Sequence, residues 1–175
     1  MARTADTAAR PLLERLLPNE ALAAASAVLA MVVIVAVVRG QADWARVPPL
    51  IWLHLGSILL ATAITPVMLL RRKGDRDHRR LGYLWVAAMA LTAATSLCFS
   101  TRATSGLGVF TGDFSFIHIL SVWTLIQVPL IVFRARAHDR RRHEIAVRGM
   151  VFGALLVAGF FTFPFDRMLG RWLLG

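Results

Sequence analysis

His54 and His118 each stand inside an apolar stretch long enough to cross a bilayer. A neutral imidazole offers one nitrogen lone pair to a metal and one N–H to a neighbour. At membrane depth such a group is costly and marks a functional candidate by default. Both residues open the same phrase, His54-Leu-Gly-Ser57 and His118-Ile-Leu-Ser121, and both phrases reach a proline further on, Pro66 and Pro129. Each stretch then enters an Arg-rich loop with a second histidine, His78 and His143, at spacings of 24 and 25 residues. Four histidines therefore fall into two layers. A rise of 1.5 Å per residue puts the outer one about 6 Å below the outer ends of its helices and the two layers about 25 Å apart.

Two imidazoles facing each other across a dry bundle suit haem iron, which takes one axial ligand from each side. Diagonal helices of a four-helix core stand about 1.4 times further apart than neighbours at roughly 8–10 Å, which admits an iron and a porphyrin edge. The expected ligand pairs for haem b are His54 with His118 and His78 with His143. Arg79, Arg80, Arg141 and Arg142 stand where they could pair with the propionates. Ser57 and Ser121, one turn from the outer histidines, either support the rings or return their hydroxyls to the helix backbone. Gly56, Ala61, Gly82, Ala88, Gly149, Gly153 and Gly159 permit close helix approach or leave room for a flat cofactor. The competing readings are plain. His54 and His118 could be satisfied by a neighbouring helix, and His78 and His143 could be solvated in their loops. His138 has no counterpart in the repeat and reads as a loop residue. Trp44, Trp52, Tyr83, Trp85 and Trp172 read as interfacial anchors.

The elements that must hold these residues follow from composition. Hydrophobic residues make up 57% of the chain and charged residues 17%, and mean hydropathy is +0.62, far from a soluble domain. Five stretches approach the length of a transmembrane helix: Ala21–Val38, Leu50–Leu70, Leu81–Phe99, Phe114–Phe133 and Val147–Phe165. The expected fold is all-α, a polytopic membrane protein of five helices. Residues 1–20 form a cytoplasmic segment and 21–175 a single domain. Within it, units 50–99 and 114–165 are parallel helical-hairpin repeats that pair into a four-helix core, with the first helix outside. Asp75 or Asp77, and Asp139, are candidate N-caps that would make His78 and His143 helical.

The net charge of +10 is a matter of topology rather than nucleic-acid binding. Loop 71–80, loop 134–148 and the N-terminal segment carry fifteen of the twenty basic residues, and the opposite side carries five. That split predicts a cytoplasmic N-terminus and an external C-terminus, with anionic lipid as the partner of the basic loops. The first apolar run is long for a signal peptide and reads as an uncleaved helix. Arg10–Leu17, closed by Pro18, is a candidate amphipathic surface helix. Cys98 is the only cysteine, which excludes an internal disulfide and a cysteine-based metal site. The sequence contains no recognisable nucleophile–base pair, carboxylate dyad or phosphate loop, and no charge at the bilayer midplane.

The stretch His54-Leu-Gly-Ser…Leu70-Arg-Arg-Lys-Gly-Asp-Arg-Asp-His78-Arg-Arg-Leu-Gly82-Tyr-Leu-Trp, with Arg142-His143…Arg148-Gly-Met150, resembles the bacterial predicted membrane protein family known as domain of unknown function 2306. The resemblance covers about residues 50–170. The second phrase departs from the family's His-Arg-x-x-Met, because His143 is followed by Glu144-Ile-Ala-Val and Met150 comes later. The resemblance implies a polytopic bacterial membrane protein and no defined activity. The layout of paired histidines is also similar to dihaem b-type cytochromes of the transmembrane ascorbate and superoxide class. That similarity implies electron transfer between a quinol or periplasmic donor and an acceptor in the inner membrane. An accessory or assembly subunit of a respiratory complex, handling haem or copper, is the alternative. Whether the chain forms a homodimer is open.

Overall fold

Helices dominate because nearly every residue between the loops is apolar, and a backbone in hydrocarbon must satisfy its own hydrogen bonds. The computed structural model describes residues 16–99, 116–164 and 166–175, with backbone alone at 116 and 117. Most of the N-terminal segment, including Arg3, Arg10 and Arg15, and the connection carrying Arg102 therefore lie outside the described residues. In chain order the elements are α1 (Asn19–Arg39), a 3₁₀ segment (Gly40–Arg46), α2 (Pro49–Leu70), α3 (Arg76–Ser96) and α4 (Phe116–Arg136). Next comes α5, which runs as Arg140–Met150, a π-helical stretch Val151–Val157 and Ala158–Phe160. A short α6 (Met168–Leu174) ends the chain. No strand occurs among the described residues.

Helices α1, α2, α4 and α5 are each long and apolar enough to cross a membrane. Helix α3 is of similar length, but its first turns carry Arg76, Asp77, Arg79 and Arg80. It packs between α2 and α4 along its length, and α5 packs on α4. The π stretch of α5 closes the ring by touching α1 and α2. Helices α2 and α4 thus stand on either side of α3, and α1 packs on α2 and meets α5, with its Leu22 and Ala23 in the core. The exterior is apolar, with Val28, Met31, Val67, Ile126, Phe133 and Phe160 all exposed, as lipid-facing surface should be.

Local chemistry sets the helix ends. Asp75 caps α3 by accepting from the His78 backbone N–H at 2.6 Å, and Asp139 caps α5 by accepting from Arg142 N–H at 3.1 Å. Each such cap stabilises its helix by about 1 kcal/mol. Gly74 takes φ +88° in the turn before α3, a conformation that favours glycine. His138 turns the chain between α4 and α5 with φ +57° and is exposed, as expected of a loop residue.

The core centres on Trp85, Met89, Met150, Val151 and Leu155, with Ala61, Ile64 and Met68 of α2 and Leu22 of α1 around them. Here the anchor reading of Trp85 fails. Its ring is 1% exposed, and its Nε1–H donates to Thr65 Oγ1 at 2.9 Å inside the bundle. Trp172 is also buried, because α6 folds back against α1 and the 3₁₀ segment. Its indole covers Gly40 so closely that a Cβ there would lie 2.0 Å from the ring. Trp172 Nε1–H reaches Asp43 at 3.3 Å, and Trp52 stands between Trp172 and Trp44 at centroid distances of 6.3 and 5.6 Å. Trp44, Trp52 and Trp172 thus form one aromatic cluster.

The fifth helix also differs from expectation. It begins at Arg140, directly after its expected Asp139 cap, but ends at Phe160, short of the apolar run expected to Phe165. Close helix approach through glycine occurs at Gly159, where a Cβ would meet Leu29 of α1 at 2.6 Å. At Gly56, Gly82, Gly149 and Gly153 an added Cβ would meet nothing within 4 Å.

Candidate functional site

The outer histidines are both held by the end of α3. The Nδ1–H of His54 donates to the Thr92 carbonyl at 3.1 Å, with Thr95 Oγ1 also at 3.1 Å. The Nε2–H of His118, a residue only 6% exposed, donates to the Phe99 carbonyl at 3.0 Å. The Phe99 ring stands edge-on to His54 at 5.1 Å. The two histidines therefore converge on Phe99, and their ring N–H groups tie α2 and α4 to the terminal turns of α3.

The neighbouring serines join the same seam. Ser57 Oγ donates to the His54 carbonyl and shares a 2.7 Å bond with Thr92 Oγ1. Ser121 Oγ bonds Ser96 Oγ on α3. Both hydroxyls are thus engaged with α3, and Ser57 also with its own helix backbone. Polar bonds across helices are the expected glue where lipid is as apolar as leucine. One ring nitrogen of each histidine is thus engaged, as the helix-satisfied reading expects; the Nδ1 bond of His54 to a carbonyl is of the same kind as that of His143 to the Ile131 carbonyl.

At the other end of the bundle, α3 and α5 begin on the same side and carry His78 and His143 within their first turns. The basicity of His78 is depressed by burial and next by the charge of His143. The Nδ1–H of His143 donates to the Ile131 carbonyl of α4 at 3.1 Å. That bond fixes the ring and leaves Nε2 as the lone-pair nitrogen, the arrangement usual for a metal-bound histidine. His78 Nδ1 is buried and has no hydrogen-bond partner. One turn along α3 on the same face stands Gly82, the open position noted above. A buried, unpartnered ring nitrogen is not that of a solvated loop histidine.

Around this pair the charged groups are organised. Lys73 pairs with Glu144 at 2.9 Å, and Glu144 lies 3.9 Å from the buried Arg148. Arg148 Nε also donates to Asn19 Oδ1 at 3.0 Å, joining α5 to the start of α1. Sequence reasoning counted Arg148 only as a topological charge, and its burial is not evident from hydropathy. Of the arginines proposed for propionates, Arg79 donates to the Gly74 carbonyl at 2.8 Å and Arg142 lies 3.5 Å from Asp139. Both are exposed on the rim of the inner end, as are Arg80 and Arg141. No family model, curated protein or solved structure matches the chain, so the site is read from its own geometry.

The pKa of His78 is lowered chiefly by burial and next by the charge on His143; Lys73 and Arg71 add to this and Asp75 opposes it. The neutral ring, with its lone pairs, is the form the fold prefers. A histidine with a depressed folded pKa contributes stability that is complete above its unfolded value of 6.5 and lost as pH falls through the folded value. We therefore expect the thermal midpoint of haem-free protein to fall on acidification from pH 8 to pH 5. His78→Gln should flatten that fall, and His138→Gln should leave it unchanged. An equal slope in wild type and His78→Gln would assign the acid sensitivity elsewhere.

Proposed function

We propose that this chain is a multi-pass protein of the bacterial inner membrane that binds haem b at its cytoplasmic end through His78 and His143, and passes electrons through it. The carrying observation is at the inner end, where α3 and α5 both begin: His143 in the first turn of α5, fixed by the Ile131 carbonyl, and His78 in the first turn of α3, with an orphaned buried nitrogen. Haem iron takes four nitrogens from the porphyrin and asks two of the protein, the number this pair supplies. No group of three or more His, Cys, Asp or Glu side chains gathers among the described residues, which favours haem over a four-coordinate protein-only site. Bound haem would supply one-electron chemistry. His78 and His143 would hold it, the Ile131 carbonyl would orient the His143 ring, and Arg79 and Arg142 would meet its propionates. A quinone pool or a respiratory complex is the natural partner for such a centre.

The proposed topology has five spans, with α3 as the least apolar, the N-terminus cytoplasmic and Gly175 periplasmic. Charge distribution supports it, because the basic residues at the starts of α3 and α5 and the end of α4 lie on one side. Reporter fusions after residues 75 and 140 should read cytoplasmic and a fusion at residue 106 external. A cytoplasmic reading at 106 would remove α3 from the spans.

The decisive measurement for the function is the absorption spectrum of protein purified from haem-replete cells. A Soret band with sharp low-spin α and β bands on reduction is the expected result. The second reading is an accessory subunit that handles haem or copper for a respiratory complex. It would give substoichiometric haem and a co-purifying oxidase or reductase.

A further inference from the structure

We infer that the seam between α3 and α4 at the cytoplasmic end is a binding site for an anionic phospholipid, with Arg136, Tyr83 and Arg80 around its phosphate. Arg136, in the last turn of α4, donates to the Tyr83 hydroxyl at 3.3 Å, and its guanidinium carbon lies 6.0 Å from the Tyr83 ring centroid. The side chain is thus ordered across the seam without a carboxylate. Arg80 and Arg76 lie one and two turns before Tyr83 on the same face of α3, and neither has a carboxylate partner among the described residues. Arg76 and Arg80 stand at the positive end of the α3 dipole with Arg136 across the seam, and none of the three has a carboxylate partner among the described residues, which leaves a net demand for anion.

What lies beneath decides which anion. Phe133 precedes Arg136 by one turn and is 68% exposed, and Tyr83 is 51% exposed. Cationic heads above an exposed apolar wall at the end of a membrane-spanning helix match a phosphodiester with acyl chains attached. An RNA or an acidic protein would find the charge but leave the apolar wall uncovered. The requirement for a phosphate rather than diffuse negative charge follows from the fork of Arg136, held in place by Tyr83. This site is separate from the histidine pair and does not depend on haem.

The test uses the full chain in neutral detergent, titrated with phosphatidylglycerol or phosphatidylcholine and read by native mass spectrometry and thermal midpoint. Phosphatidylglycerol should bind more tightly and raise the midpoint. Each arginine removed near the surface should weaken it about fivefold, so R80Q/R136Q should lose more than tenfold. Y83F should lose part of the effect, and R171Q at the opposite end none. R76Q/R80Q, whose side chains make no hydrogen bond or ion pair among the described residues, gives the same reading if R136Q fails to fold. Equal binding of the two lipids, or an equal loss in R171Q, would overturn the inference. So would a short RNA that binds tighter than phosphatidylglycerol and competes for the same arginines.

Discussion

Replacing either His78 or His143 by alanine is expected to abolish the low-spin haem spectrum of the purified protein. Both axial positions must hold imidazole to give a six-coordinate low-spin iron, so loss of either ring removes the signature even if some haem is retained. The two single variants should be nearly as severe as the double, because each removes half of one indivisible ligand set. His138→Ala should keep the full spectrum, since that residue is exposed in the α4–α5 turn. His54→Ala should also keep it, and should instead destabilise the protein by about 1–2 kcal/mol by leaving the outer end of α3 without its ring donor. Loss of the spectrum in His54→Ala or His118→Ala, with His78→Ala unaffected, would move the site to the outer layer. A protein that never carries haem, with all four variants alike, would leave the histidines structural.

The second large effect is expected at Trp85. In a water-soluble core, Trp→Ala costs about 3–5 kcal/mol, part from lost transfer energy and part from the cavity. In a bilayer the transfer part shrinks, because lipid tails are as apolar as the core. The cavity part stays, and at a ring that is 1% exposed it is large. We expect Trp85→Ala to cost roughly 2–3 kcal/mol in detergent unfolding, consistent with a buried cavity that cannot collapse. Trp85→Phe should cost about 1 kcal/mol, mainly the bond to Thr65. Thr65 keeps its own bond to the Ala61 carbonyl in either variant. Trp123, 37% exposed on α4, is the control, and Trp123→Ala should be close to neutral. If Trp85→Ala and Trp123→Ala behave alike, Trp85 does not sit where the core places it.

Much of the fold was legible in the chain because membrane helices announce themselves locally. Length and apolarity mark α1, α2, α4 and α5, and the aspartates before His78 and His143 mark the starts of α3 and α5. Depth along the membrane normal could be read from the fixed rise per residue, which sorted the histidines into two layers. The rotational phase of each helix could not be read that way. Helices α1, α2 and α4 are apolar almost all round, so no hydrophobic stripe says which face turns inward. Trp85 and Arg148 lie on α3 and α5 instead, near the charged ends of those helices; their place near an end read as an interfacial anchor and a loop charge, and packing against α2 and α1 buried both.

The histidines separate the two sources most clearly. Their residue types, their spacing and their place in two similar phrases are properties of the sequence alone, and so is the prediction that two layers exist. Which ring nitrogen is engaged, and by what, depends on the helix that happens to stand beside it at that depth. Tertiary packing gave His54 and His118 to the end of α3 and left His78 at the inner end with a nitrogen unsatisfied. A hydrogen bond forms over about 3 Å between residues 19 to 41 positions apart. Periodicity along one helix carries no information at that range; only the arrangement of neighbouring helices does.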